Sequence, residues 1–222
     1  ADVVSSTVPC SNKWMIGTVN SFFIGFTSTF IATTLGTMAA LGLSRPHMPY
    51  KGLIMAILIS PMIVPLIITA AGMFFFYARV NLVYTFTGVI LAHVALATPF
   101  VVITVTATLV GFDMNMVKAS QSLGAKPMRT FFKVIMPLIL PGIISGALFA
   151  FITSFDEVVI VMFMASLDQL TIPKQMWAGI RQEISPVILC MATCLVALSI
   201  FLLTTVELLR RRSEKLRGIK AR

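Results

Sequence analysis

One stretch decides the fold: residues 80–112 read VNLVYTFTGVILAHVALATPFVVITVTATLVGF, 33 residues without Asp, Glu, Lys or Arg. A helix needs about 20 apolar residues to cross about 30 Å of hydrocarbon. Four further stretches of 31, 27, 22 and 23 residues also lack these charged residues: 14–44, 52–78, 134–155 and 184–206. The chain is therefore predicted to be an all-α membrane protein whose five spans lie at about residues 15–44, 53–77, 84–111, 136–156 and 186–208.

The composition of the whole chain agrees with these spans. Of 222 residues, 58% are hydrophobic and only 11% are charged, whereas an ordinary soluble domain has about 25% charged residues. This composition excludes a soluble enzyme and a disordered tail. We expect one transmembrane domain over residues 1–209, followed by a basic tail over residues 210–222.

The 17 Lys and Arg residues are strongly sorted between the two sides of the predicted spans. Thirteen lie between the first and second spans, between the third and fourth, or after the fifth; the other side has only Lys13, Arg79, Lys174 and Arg181. Cytoplasmic loops carry an excess of Lys and Arg, so the tail is predicted to be cytoplasmic and residue 1 external. The basic charge then reflects topology in a lipid bilayer and does not indicate nucleic-acid binding.

The segment at residues 112–137, between the third and fourth spans, is too long for a simple turn. Asp113 can cap the start of a helix over residues 114–123, and Gly124 can take the left-handed geometry that ends it. Pro127 suits the first turn of a second helix, which Pro137 should kink or interrupt at the membrane. Small side chains give the first helix a surface on which another protein could sit: Ala119, Ser120 and Ser122.

The spacing in this segment resembles a known motif. In this segment Lys118-Ala119-Ser120 is followed by three residues, Gly124, nine residues and Val134-Ile135-Met136-Pro137. This pattern is similar to the EAA loop of permease subunits of bacterial ABC importers. Similar positions elsewhere include Asn20-Ser21, Leu35-Gly36-Thr37, Pro61 to Pro65, residues 154–159 and residues 170–177. The likeness covers about residues 20–212 and is greatest to spermidine/putrescine-type permeases, which have the helical, type I importer-like fold. Such permeases usually have six spans, so the first of six is expected to be missing from this sequence.

The resemblance implies a transport subunit and no enzyme. The coupling loop would contact a cytoplasmic ATPase through Asp113, Lys118, Ala119, Ser120, Leu123, Gly124, Pro127 and Pro137. ATP and Mg²⁺ would bind to that ATPase, because this chain has no GxxxxGK[ST] motif and no cofactor site of its own. Two ATPase copies, a second permease and an external solute-binding protein are the implied partners in a bacterial inner membrane. Lys118 departs from the family, which most often has Glu at this position.

Two neighbouring carboxylates are candidates for the substrate path. Asp156 and Glu157 lie 15 residues beyond Pro141, or about 22 Å along a helix, in the outer part of the domain. They could attract a cationic solute such as a polyamine during alternating access; alternatively they cap or pair locally where the fourth span ends. Residues 158–167 are uncharged but too short to cross, so we expect a re-entrant or surface segment.

Other polar residues have weaker functional indications. Asn20 and Ser21 could bind substrate or a neighbouring helix, and His93 is interpreted as structural. Cys190 and Cys194 are interpreted as packing residues, and neither a catalytic set nor a metal cluster is predicted. An ion-coupled secondary transporter or channel subunit is the main alternative function; a membrane scaffold is the second.

Overall fold

A computed structural model of the chain describes residues 12–45, 48–110, 114–182 and 186–216. All regular secondary structure within these ranges is helical. The helices, in chain order, are α1 (Asn12–Leu43), α2 (Lys51–Ile63), α3 (Leu66–Arg79), α4 (Phe86–Val110), α5 (Met114–Ser122), α6 (Pro127–Thr130), a π-helical segment (Phe131–Ile135), α7 (Met136–Phe155), α8 (Val159–Met164), α9 (Ile172–Gln182) and α10 (Pro186–Leu216).

Several of these helices are long and apolar enough to cross a membrane. In the part of the chain that the structure describes, four single helices qualify: Lys13–Leu43, Phe86–Val110, Pro127–Phe155 and Pro186–Thr205. The pair α2 and α3 qualifies only when both are taken together. The predicted class of all-α membrane protein is confirmed, with up to five spans in the described ranges.

Helix α4 is the centre of the bundle. Its sequence is apolar on every face, as expected for a helix surrounded by other helices. It packs against both α1 and α7, and Val89, Ala97 and Val101 are completely buried. Two glycines permit the close approach: a Cβ atom at Gly36 would lie 2.7 Å from the Cβ atom of Val101, and one at Gly146 would lie 3.0 Å from its Cα atom.

The second predicted span, 53–77, is not one straight helix. The axes of α2 and α3 differ by 105° across a short break. Val64 at the break is extended, with φ −72° and ψ 136°, because a residue that precedes proline is pushed away from helical geometry by the ring of Pro65. Pro61 lies inside α2 without ending it. Only the second of the two prolines therefore produces the bend.

The helix that enters the fourth span is not interrupted at Pro137, contrary to one of the two expectations for that residue. The preceding segment, Phe131–Ile135, is π-helical, and the backbone N–H of Met136 donates to the carbonyl of Phe131. This wider turn accommodates the altered hydrogen bonding around a proline. α7 then continues for 20 residues, or about 30 Å, and separates the α5–α6 end of the bundle from the α8–α9 end.

Candidate functional sites at the two ends of the bundle

The end of α5 is a tight, hydrogen-bonded turn. Gly124 has a φ of +77°, which confirms the predicted left-handed conformation. The N–H of Gly124 donates to the carbonyl of Gln121 at 2.9 Å, and the N–H of Ala125 donates to that of Ser120 at 3.1 Å. This pair of bonds is the Schellman motif, which satisfies the free carbonyls at a helix end. The elbow is thus defined by the backbone, and glycine suits it because left-handed geometry is costly for other residues.

A side-chain bond then joins the two arms of the elbow. The hydroxyl oxygens of Ser120 on α5 and Thr130 on α6 lie 3.0 Å apart, and Thr130 is buried. Pro127 occupies the first turn of α6, as predicted. Ser120 therefore joins α5 to α6. The sequence had predicted for Ser120 only a place in a surface of small side chains.

The outer surface of the elbow is apolar and basic. Leu123 is 88% exposed, and Met116, Met128 and Phe132 are also exposed. Four cations lie on the same segment and are exposed: Lys118, Lys126, Arg129 and Lys133. Ala119, Gly124, Pro127 and Pro137 are exposed too, whereas Asp113 lies outside the described residues. Such a surface suits a partner with an apolar cleft and an acidic rim.

At the opposite end of the bundle, Asp156 and Glu157 have different environments. Asp156 ends α7 with its side chain exposed. Glu157 is only 7% exposed, and its Oε1 atom accepts a hydrogen bond of 2.9 Å from the N–H of Ile160 in the first turn of α8. Burial raises the pKa of Glu157, and backbone hydrogen bonds from Ile160 and Val159 oppose that increase. The local capping alternative therefore has direct support for Glu157.

Lys174 caps the other end of α8. Its Nζ atom donates to the carbonyls of Val161 at 3.1 Å and Ala165 at 3.0 Å, where a cation complements the helix dipole. Burial lowers the pKa of Lys174. A second bond also reaches this end of α8: the N–H of Tyr84 donates to the carbonyl of Met164, the last residue of the helix, at 2.9 Å. The sequence showed Lys174 only as one of four cations on the sparse side, and no local pattern indicated this contact.

Asn20 and Ser21 attach α1 to the segment that follows α8. The Nδ2 atom of Asn20 donates to the carbonyls of Asp168 at 2.7 Å and Leu170 at 3.0 Å. The Oγ atom of Ser21 accepts from the N–H of Ile172 at 2.8 Å and so caps α9. The structure thus supports the interpretation that both residues bind a neighbouring segment. Their place in a substrate path stays a prediction.

His93 lies in a buried polar cluster where three membrane-length helices meet. It is 1% exposed; its Nδ1 atom lies 2.8 Å from the Oγ atom of Ser154, which lies 2.8 Å from that of Ser28. This cluster joins α4, α7 and α1, in keeping with a structural role. Among the described residues, no group of three or more His, Cys, Asp or Glu could hold a metal ion.

Comparisons with known proteins agree on one family. The family model described as "Binding-protein-dependent transport system inner membrane component" matches residues 32–215. The spermidine/putrescine transport system permease protein PotC of Haemophilus influenzae is 29% identical over 195 residues, which are 88% of this chain and 76% of that protein. The putrescine transport system permease protein PotI of Escherichia coli K12 is 36% identical over 103 residues, 46% of this chain and 37% of PotI.

The fold also has a solved counterpart. The crystal structure of an amino acid ABC transporter with histidines superimposes with a TM-score of 0.68 over 93% of this chain and 97% of that chain. The sequence identity is only 18%, so this likeness concerns the fold alone.

Proposed function

The chain belongs to the family of binding-protein-dependent transport system inner membrane components, and from this premise we propose that it is a permease subunit of an ATP-driven importer. The subunit forms part of the path of a small polar solute and works by alternating access. ATP and Mg²⁺ bind to two cytoplasmic ATPase subunits, and a second permease and an external binding protein complete the complex. In this topology the α5–α6 elbow and the tail after α10 are cytoplasmic.

The elbow is the observation that carries this proposal. It has a hydrogen-bonded turn at Gly124, an apolar and basic outer surface, and a continuous helical connection from Pro127 to Phe155. A partner that pushes on α5 would act on α7 through this connection, because the Ser120–Thr130 bond joins the two arms. A secondary carrier has no need of such a docking elbow, since its energy comes from an ion gradient across the membrane.

The test is reconstitution of the chain with its candidate partners in proteoliposomes. External binding protein and solute together should increase ATP hydrolysis inside the vesicle, and solute should accumulate only when ATP is present. Accumulation driven by a proton or sodium gradient without ATP would contradict the proposal and favour the ion-coupled carrier.

Variants at Gly124 separate coupling from assembly. Gly124→Pro should uncouple ATP hydrolysis from uptake, because proline cannot adopt a φ near +77° and lacks the N–H that bonds Gln121. Gly124→Asn is the matched control, since asparagine tolerates left-handed geometry and no atom lies within 4 Å of the position of a new Cβ atom. Unchanged uptake per ATP in the proline variant would contradict the coupling role.

We further propose that the solute is a polyamine or a related amine. Its support is the likeness to relatives named for spermidine and putrescine transport and the exposed carboxylate of Asp156. Asp156→Asn should raise the KM for a dication more than that for a neutral analogue, because one Coulomb attraction is lost. Glu157→Gln, which keeps an oxygen that can accept the Ile160 N–H, should change KM less. Equal effects on charged and neutral solutes would indicate a structural role for Asp156.

A further inference from the structure

Helix α9 is held against the bundle along one side. Ser21 caps its first N–H, as described above. A Cβ atom at Gly17 of α1 would lie 2.7 Å from the Oε1 atom of Gln175, and one at Gly179 would lie 2.6 Å from the Cδ1 atom of Ile188 in α10. These close approaches fix the position of α9 over the ends of α1 and α10.

The other side of α9 is exposed and itself amphipathic. Because successive residues of a helix are rotated by about 100°, three side chains of α9 lie next to one another around the helix axis, separated by about 40–60°. In order, they are Ile180, Trp177 and Arg181. Ile180 and Trp177 are exposed large apolar residues, and Arg181 is exposed beside them. The Cζ atom of Arg181 lies 5.7 Å from the centroid of the Trp177 ring. An apolar edge thus borders one exposed cation, Arg181.

This exposed side lies where a membrane-length helix begins. α9 ends at Gln182, and α10 starts at Pro186 and is apolar and exposed along most of its membrane-length part. Leu189, within the first turn of α10, is strongly exposed. Helix α9, which approaches α10 at Gly179 and Ile188, therefore lies beside the beginning of a helix that is long and apolar enough to cross a membrane.

We propose that α9 lies in the headgroup layer of the membrane and that Trp177 and Arg181 together bind the phosphate of a phospholipid. Tryptophan is enriched at this depth because its ring is apolar and its N–H needs a polar partner. Helices with one apolar and one basic edge lie in the interface plane. Arginine binds phosphate with two parallel hydrogen bonds, and its stacking on Trp177 orients it.

A phospholipid fits this surface better than an external protein. A protein bound to Trp177 and Ile180 would have to end beside α10, whose adjoining apolar side would remain in contact with lipid. Lipid can instead cover the exposed edge of α9 and this side of α10 continuously. The inference rests on the proposed function only for the assignment of this layer to the outer leaflet.

The chain's two tryptophans make the test direct. Trp14 is 8% exposed and Trp177 is 46% exposed, so Trp14→Phe leaves Trp177 as the reporter and Trp177→Phe leaves Trp14. In nanodiscs, phosphatidylcholine brominated near the headgroup should remove most of the Trp177 emission and little of the Trp14 emission. Bromine placed near the chain ends should quench Trp177 less, because an interfacial helix does not reach the bilayer centre.

The phosphate contact has its own comparison. At equal low fractions in the bilayer, brominated phosphatidylglycerol should quench Trp177 more than a brominated glycolipid without phosphate. Arg181→Gln should abolish that difference, whereas Lys51→Gln, which removes an exposed cation from α2, should leave it unchanged. Equal quenching by the two lipids in the parent chain would overturn the phosphate contact.

Two further outcomes would overturn the location of α9. Quenching of Trp177 by acrylamide in water and not by brominated lipid would place this side in solvent. In the assembled complex, a benzophenone amino acid at position 177 should crosslink to lipid; a crosslink to the binding protein or to a second permease would identify a protein interface. Neither measurement depends on ATP hydrolysis, so failure of this inference is distinguishable from failure of the proposed function.

Discussion

At the scale of single residues, the burial and the pKa of a carboxylate depend on which groups surround it. Asp156 and Glu157 are adjacent in sequence, yet one is exposed at the end of α7 and the other is buried against the first turn of α8. The buried carboxylate gains hydrogen bonds but loses hydration, and its raised pKa indicates that the loss of hydration dominates. Glu157 therefore stabilises the local structure most when it is protonated. A neutral side chain that still accepts the hydrogen bond should stabilise it in the same way.

This balance predicts the pH dependence of the α8 segment. The pKa of Glu157 is raised above 4.5 in the folded state, so the folded state binds the proton more tightly than the open state. Its contribution to stability is then largest below about 4.5 and decreases as pH rises through the raised pKa. Hydrogen exchange of residues 158–166, corrected for intrinsic rates, should show less protection as pH increases across this window.

Two substitutions isolate the residue. Glu157→Gln should remove the pH dependence and retain protection, because its amide oxygen can still accept from Ile160. Glu157→Ala should reduce protection at every pH by about 1 kcal/mol, the usual cost of a lost cap. Asp168→Asn, an exposed carboxylate of the same region, is the control. A pH slope that persists in Glu157→Gln would mean that another group is titrating.

At the scale of elements, the bend between α2 and α3 shows how one backbone restriction changes the path of a span. The apolar run 52–78 is long enough to cross a bilayer as a straight helix, but the ring of Pro65 holds Val64 in an extended conformation. The two halves then diverge by 105°. A restriction at a single peptide thus overrides a continuous apolar pattern.

Pro65→Ala should straighten this segment, because it removes the ring and restores a backbone N–H. With spin labels at the exposed positions 53 and 76 in a variant without native cysteines, the distance should increase from about 20 Å, expected for two arms at this bend, toward about 35 Å for one helix. Pro61→Ala should leave the distance near its parent value, since Pro61 lies within α2. No increase in Pro65→Ala would show that packing, and not proline, maintains the bend.

Local patterns predicted the elements but not the contacts between them. Charge-free runs located the membrane-length helices, and Gly124 marked the end of α5 because left-handed geometry is a property of one residue. The capping of α9 by Ser21 could not be predicted, because Ser21 and Ile172 lie 151 residues apart in sequence. The capping of α8 by Lys174 was missed as well, because the chain between Lys174 and the end of α8 must fold back before the two can meet. The π-helical segment before Pro137 was also missed, since proline alone does not specify how a helix adapts to it.

At the scale of the whole molecule, the packing of α1 and α7 on α4 determines how closely the membrane helices approach. Val101 of α4 faces Gly36 on one side and Gly146 on the other. In a bilayer such close packing is a main source of helix association, because lipid is as apolar as the side chains. The bundle is thus held together where side chains are smallest.

A pair of glycines on one helix tests this view. Gly36→Ala should destabilise the folded chain by about 1–3 kcal/mol, because the new methyl group would overlap Val101. Gly42→Ala, also on α1, has no atom within 4 Å of the new methyl group and should be neutral or slightly stabilising. Thermal unfolding midpoints of the two variants in detergent measure the difference. Similar midpoints would contradict the packing role of Gly36.

The contact between Gly36 and Val101 also constrains how the sequence can change during evolution. The overlap with a methyl group at residue 36 would begin at the Cβ atom of Val101, so a smaller aliphatic side chain at 101 would not relieve it. Glycine at 101 would remove this overlap, and the carbonyl oxygen of Thr98 would then be the nearest atom, at 3.3 Å. Lineages that acquired alanine at residue 36 should therefore carry a second change, to glycine at 101, or a wider separation of these two helices. Ancestral reconstruction can find out which of the two changes came first.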